Sequence, residues 1–230
     1  MITQNIENSA PIFGISRLRM GTDGKGITTL VTFMGCPLKC KYCLNPKCHE
    51  SIYEADGCTP RKGIQIVTPA QLYDIVKIDK IYFESTGGGI CFGGGEPGLY
   101  WEFIKEFRKI CGDKWKITIE TSLSFDMNFF TKMNHEDLHL IDYWIIDIKS
   151  LDENIYKQYT GVQRSPILDI SYIGKFIEAE KVLIKVPIIS GYVNKSTAEQ
   201  TRNKILAETI FTEVKIMKYI KKIPKNQKTD

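Results

Sequence analysis

The sequence predicts an α/β protein, a partial (open) parallel (β/α)6 barrel, and three observations predict it. Short apolar or β-branched runs alternate with helical patterns along most of the chain. Such alternation builds βαβ units with right-handed crossovers. The segments rich in cysteine, glycine and charge all fall at the C-terminal ends of the strand runs, where parallel α/β sheets gather their ligands. The strand–helix units number about six, too few for a closed eight-stranded barrel.

Residues 1–26 read as an N-terminal extension, 27–217 as the core domain and 218–230 as a lysine-rich tail. Ile27–Phe33 is β-branched and apolar and reads as the first strand. Residues 44–67 hold Pro46, Gly57, Pro60 and Gly63 and read as an irregular connection. Thr68 and Pro69 then open a helix as N-cap and first helical residue, with Leu72, Ile75 and Val76 on one face. A strand over 89–92 is followed by a helix over 99–110 that carries Phe103, Ile104 and Phe107 at helical spacing. Lys116–Thr121 is the third strand, 127–133 a short helix and 141–148 a fourth, strongly apolar strand. Helices are expected over 154–159, 170–179 and 196–209, and strands over 181–189 and 213–217.

The 230 residues suit one large domain, and a hydrophobic fraction of 43% is ordinary for a globular chain. The formal charge of +4 is mild, and the lysines of 215–228 read as a solvated end rather than a nucleic-acid surface. No apolar run is long enough to span a membrane, and residues 1–11 lack the build of a signal peptide, which implies the cytoplasm. Seven cysteines in such a setting argue for reduced thiols and metal rather than disulfides.

Cys36, Cys40 and Cys43 lie within eight residues at Cys-x3-Cys-x2-Cys spacing, just after the first strand. Thiolates suit iron–sulfur clusters and zinc. Three on one loop suggest a four-iron cluster with one iron left open to a substrate; buried or zinc-binding cysteines are the rival reading. Cys48 and Cys58 read as free thiols, Cys91 and Cys111 as small apolar fillers. His49 is an available fourth ligand, but its use would fill the open iron; His135 and His139 sit in a charged, solvated loop.

Gly93, Gly94 and Gly95 let backbone approach a ligand closely, and Glu96 adds a carboxylate. The rival is an ordinary glycine-rich turn; the lack of a following Gly-Lys-Ser/Thr argues against a phosphate loop. Asp147 and Lys149 are two apart at a strand end and so share a face, as a salt bridge or as a site.

These segments together resemble the radical S-adenosylmethionine superfamily. The resemblance implies that Cys36, Cys40 and Cys43 hold one 4Fe-4S cluster and that Tyr42 packs near the adenine of S-adenosylmethionine. Gly94, Gly95 and Glu96 match its Gly-Gly-Glu-Pro motif, with Gly93 where relatives commonly have serine. Asp147-Ile148-Lys149, Tyr159-Thr160-Gly161 and the stretch 185–194 narrow the resemblance to activating enzymes of glycyl-radical enzymes, typified by the pyruvate formate-lyase type. That resemblance implies that Asp147, Lys149 and Lys185 also contact S-adenosylmethionine. It implies that Glu120 and Thr121 help to surround a monovalent cation, although Leu123 replaces the usual glycine. Ser190 replaces the proline of the last motif, which is expected to loosen the turn. The implied reaction is reductive cleavage of S-adenosylmethionine to a 5′-deoxyadenosyl radical, which takes hydrogen from a glycine Cα of a partner protein. No side-chain base is required. Flavodoxin or ferredoxin is the implied electron donor, and the short 44–67 connection implies a single cluster. Two rivals stand beside this reading: a radical enzyme acting on a small molecule or peptide, such as a 7-carboxy-7-deazaguanine synthase, and a metal-binding module without catalysis.

Overall fold

A computed structural model describes residues 8–124 and 135–218. Eight strands form one sheet: β1 (Ala10–Met20), β2 (Ile27–Phe33), β3 (Gln65–Val67), β4 (Gly89–Gly94), β5 (Lys116–Thr121), β6 (Tyr143–Asp147), β7 (Val182–Ile188) and β8 (Val214–Lys218). Their order is β3-β1-β2-β4-β5-β6-β7-β8. The run from β2 through β8 is parallel throughout, so the six expected strands form the open parallel sheet. The helices are α1 (Pro69–Val76), α2 (Lys80–Thr86), α3 (Trp101–Cys111), α4 (Glu153–Thr160), α5 (Pro166–Ile173) and α6 (Lys195–Glu208).

Side chains alternate across the sheet. Val31, Phe33, Ile90, Phe92, Ile117, Ile119, Trp144, Ile146, Ile184 and Val186 pack with helical Leu72, Phe83, Phe103, Phe107, Ile170 and Ile205 in one buried cluster. The intervening positions, with period two, place Cys91, Thr118, Glu120, Asp147 and Lys185 on the opposite, inner face. Thr68 caps α1 reciprocally: its hydroxyl accepts from the Gln71 N–H at 3.2 Å, and Gln71 Oε1 accepts from the Thr68 N–H at 2.9 Å.

Four elements differ from expectation. Residues 10–20, read as extension, form β1, the longest strand, antiparallel to both β2 and β3. Its pairing slips between Ile12 and Gly14 and between Ser16 and Arg19, and it contains Pro11 as its second residue; bulges and a proline erase the alternation that identifies a strand. Arg17 anchors it: the Nε donates to both carboxylate oxygens of fully buried Asp79 at 2.9 and 3.0 Å, and the Thr29 hydroxyl donates to the same carboxylate at 2.8 Å. The tail of the irregular connection supplies β3, and α2 follows α1 where no helix is expected. The helix expected over 170–179 instead starts at Pro166, whose fixed φ suits a first helical residue, and ends at Ile173. The helix expected over 127–133 and most of the 218–230 tail lie outside the described residues.

The connection from β1 to β2 lies against the inner face. A Cβ at Gly24 would come 2.5 Å from Thr118 Oγ1, Lys25 Nζ sits 5.1 Å from the centre of the Tyr143 ring, and Lys185 Nζ is 3.5 Å from the Thr22 carbonyl. No helix among the described residues is long and apolar enough to cross a membrane.

Candidate functional site

The cysteine loop leaves the C-terminal end of β2 and is gripped from three sides. At its start, the Gly35 N–H donates to the Cys48 carbonyl at 2.8 Å, and the Gly35 carbonyl accepts from the Glu96 N–H at 2.8 Å. In its middle, the Lys39 N–H donates to the Thr160 carbonyl at 2.7 Å and the Lys41 N–H to the Tyr159 carbonyl at 3.0 Å, both at the end of α4. At its exit, the Asn45 amide donates to the Gly94 carbonyl at 3.1 Å. Cys36, Cys40 and Cys43 are all half-buried and free of disulfides. Burial pushes the Cys36 thiol up to about 12, with the Glu96 charge adding to it, and the Cys40 thiol up to about 11. The Cys43 thiol is instead held down, chiefly by a hydrogen bond with Cys48, whose own thiol is raised by the same contact.

The three glycines are not equivalent. A Cβ at Gly93 would meet Glu120 and Leu30 at 3.4 Å, ordinary contact. At Gly94, φ is +93° and a Cβ would sit 2.5 Å from Thr32 Cβ. At Gly95, a Cβ would lie 2.0 Å from the Gly35 carbonyl oxygen and 2.9 Å from that of Phe33. Gly95→Ala must therefore push the cysteine loop off the sheet end, and a cost of about 1–3 kcal/mol is expected in urea unfolding, with reduced metal loading. Gly93→Ser should leave both unchanged.

Glu96 is 1% exposed. Its carboxylate accepts from the Thr121 hydroxyl, from the Ser122 N–H at 3.0 Å and hydroxyl at 2.8 Å, and from the Gly98 N–H at 3.4 Å. Burial raises its pKa, and these donors act against that rise. The side chain thus fastens the glycine loop to the end of β5. Glu120, one residue before Thr121, faces the other way and accepts from Lys185 Nζ at 2.8 Å. Neighbouring strand residues point to opposite faces. The structure therefore does not bring the Glu120 carboxylate and the Thr121 hydroxyl together. Burial disfavours the charged form of Lys185, but the Glu120 carboxylate outweighs it and the pKa is raised.

Asp147 ends β6 and pairs with Lys149 through Oδ2; its Oδ1 is buried with no hydrogen-bond partner among the described residues. Tyr42 packs beside Tyr159 and Tyr192, with ring centres 6.5 and 6.0 Å away. The turn after β7 is closed despite Ser190, since Ile189 and Val193 exchange two backbone hydrogen bonds at 2.8 Å. Leu123, standing where the resemblance puts glycine, has a left-handed φ of 56° and is 1% exposed. The sequence reading placed Asn45, Ser122 and Tyr192 inside its motifs but gave them no role, and it read Cys48, five residues after Cys43, as a free thiol. His135, expected to be solvated, stacks on Phe176 with ring centres 4.0 Å apart, while His139 is exposed.

Residues 30–170 match the radical SAM superfamily. The chain is 35% identical over 140 residues to the pyruvate formate-lyase-activating enzyme of Clostridium pasteurianum, covering 60% of this chain and 52% of that enzyme, about half its length. It is 26% identical over 250 residues to the 4-hydroxyphenylacetate decarboxylase activating enzyme of Clostridium scatologenes, covering 86% of this chain and 79% of that one. Its fold is similar to SuiB of Streptococcus suis bound to precursor peptide SuiA (TM-score 0.55, 14% identity, 83% of this chain and 38% of that chain). It is also similar to QueE from Escherichia coli (TM-score 0.50, 11% identity, 95% of this chain and all of that chain). At those identities the two structures support the fold alone. The family match spans more than half of the sequence and includes the whole cysteine loop, so the chain belongs to the radical SAM superfamily, whose enzymes use a 4Fe-4S cluster and S-adenosylmethionine.

Proposed function

We propose that this chain is an activating enzyme for a glycyl-radical enzyme, of the formate-lyase type, that removes a hydrogen from a glycine Cα of its protein partner. The observation that carries this reading is the grip of the Tyr159-Thr160-Gly161 turn on the cysteine loop through the Thr160 and Tyr159 carbonyls. It ties one activase-like segment to the metal loop, and relatives named as activating enzymes align with as much as 86% of the chain.

The residues present fit both cofactors. Cys36, Cys40 and Cys43 are thiols close enough to perturb one another, a soft donor set suited to iron. The orphaned Asp147 Oδ1 is a buried acceptor, and the cradle of Gly94 and Gly95 excludes any Cβ. When bound, the cluster and S-adenosylmethionine supply the reductive cleavage that yields a 5′-deoxyadenosyl radical. The chain's residues do the positioning. In this proposal the three cysteines hold iron, and Gly94, Gly95, Asp147, Lys149 and Lys185 hold S-adenosylmethionine. Tyr42, with Tyr159 and Tyr192 behind it, supplies an aromatic wall. Glu96 and Thr121 act through the loop they fasten, and Glu120 positions Lys185. The Glu120–Lys185 pair leaves a cation shared by Glu120 and Asp147 as the remaining form of the monovalent site. The proposed setting is the cytoplasm, with a flavodoxin or ferredoxin as donor.

The test is anaerobic reconstitution with iron and sulfide, then dithionite and S-adenosylmethionine. 5′-Deoxyadenosine is expected, together with a glycyl-radical electron paramagnetic resonance signal on a formate-lyase-type partner. 5′-Deoxyadenosine without a protein radical on any such partner would favour a small-molecule or peptide substrate. A stable cluster with no product would refute the activase.

A further inference from the structure

Beyond that reading, we propose that the cluster-free chain holds a single thiophilic metal ion, of the zinc class, on Cys43, Cys48 and His49. The two sulfurs and a ring nitrogen of His49 lie within 4.8 Å of one another. Zinc–sulfur and zinc–nitrogen bonds run about 2.3 and 2.0–2.1 Å, so three atoms at this separation can surround one ion. Cys36 and Cys40 stand outside this group, as befits thiols that bind different irons of a larger cluster. Two thiolates and an imidazole select zinc or another borderline first-row ion over calcium or magnesium.

Backbone hydrogen bonds hold the pair in place. Cys48 and His49 end the 3-10 turn Pro46–His49. The Cys48 N–H donates to the Asn45 carbonyl at 3.0 Å, and its carbonyl accepts from Gly35 at 2.8 Å. The Cys48 side chain is thereby buried against Cys43, while His49 stays exposed and its ring can turn toward an ion. Three protein ligands leave the fourth tetrahedral position to water, the open arrangement of an exchangeable site. Binding releases thiol protons to solvent and moves no electrons. Cys43 belongs to both the pair and the three-cysteine loop, so the single ion and the cluster exclude one another. The ion would keep Cys43 and Cys48 from oxidising against each other until iron and sulfide arrive.

The test is a cobalt(II) titration of the full chain, stripped by chelator, under anaerobic conditions with a non-thiol reductant. One cobalt per chain is expected, with a sulfur-to-cobalt charge-transfer band and tetrahedral d–d bands. Cys48→Ser should halve the charge-transfer band. His49→Ala, at an exposed position, should shift the d–d bands and weaken binding at least about tenfold. Cys40→Ser should bind cobalt as the parent does. Absence of a stoichiometric band, unchanged spectra in either Cys48→Ser or His49→Ala, or loss of binding in Cys40→Ser would each overturn the proposal. Reconstitution of His49→Ala with iron and sulfide reads the cluster separately: normal iron content there keeps the radical chemistry independent of this result.

Discussion

Cys40→Ala is expected to reduce 5′-deoxyadenosine formation to background, with iron content after reconstitution falling in parallel. Cys40 sits midway along the gripped loop, half-buried and packed on the core. Its backbone carbonyl, which the variant keeps, accepts from the Cys43 N–H at 3.2 Å. Removing the sulfur therefore costs about 1 kcal/mol or less in folding, while deleting one of the three proposed iron ligands. Serine should not rescue, because its hydroxyl is a harder ligand than a thiolate. Thermal unfolding that stays near the parent value separates the chemical loss from misfolding. Full activity in Cys40→Ala would remove the three-cysteine loop from the mechanism.

The largest stability effect is expected at Arg108, which no motif marks. Its guanidinium is 8% exposed and serves several acceptors that join α3 to the ends of β5 and β6. Nε and Nη2 donate to the Leu140 carbonyl at 3.0 and 2.8 Å, and Nη1 donates to the Gly112 and Trp115 carbonyls, each at 2.8 Å. Nη2 also pairs with Asp142, whose carboxylate accepts from the Ile117 N–H and from Lys116 at 2.8 and 2.9 Å. Arg108→Ala removes the guanidinium donors from these carbonyls and leaves one partly buried carboxylate short of its cation, an expected loss of about 3–5 kcal/mol in urea unfolding. Arg108→Lys should recover only part, since an ammonium cannot fork to several acceptors. A loss below about 1 kcal/mol in Arg108→Ala would show the network to be incidental. Burial opposes ionisation of Asp142, yet the Ile117 N–H, Lys116 and Arg108 hold its carboxyl below the usual range. Its contribution is therefore present above the unfolded carboxyl value of about 4 and fades as pH falls through the lower folded value. The gap in stability between parent and Arg108→Ala should narrow in that acid window.

Much of this architecture is legible without coordinates because it is written in local rules. Ile27–Phe33 is β-branched and apolar, Lys116–Thr121 alternates apolar with polar residues, and Thr68, Pro69 and Gln71 carry the whole chemistry of a helix start. A parallel sheet then forces the cysteine loop, the glycine run and Asp147 to one end, so their shared location follows from chain order alone. β1 escapes that reading since Pro11 and two slips in pairing break its period, and only the partner strands restore it. Chain order by itself placed Cys36, Cys40, Cys43, Gly94, Gly95, Asp147 and Lys149 at or just beyond the C-terminal ends of strands, while Lys185 lies within β7. Tertiary structure alone decided what each side chain does there. It turned Glu96 inward onto Thr121 and Ser122, set Glu120 against Lys185, and closed Cys48 on Cys43. The physical reason is one of range. Backbone periodicity and caps are fixed by neighbours a few residues away, whereas a buried carboxylate or thiol takes the donor that packing delivers from across the sheet or from another turn of the loop.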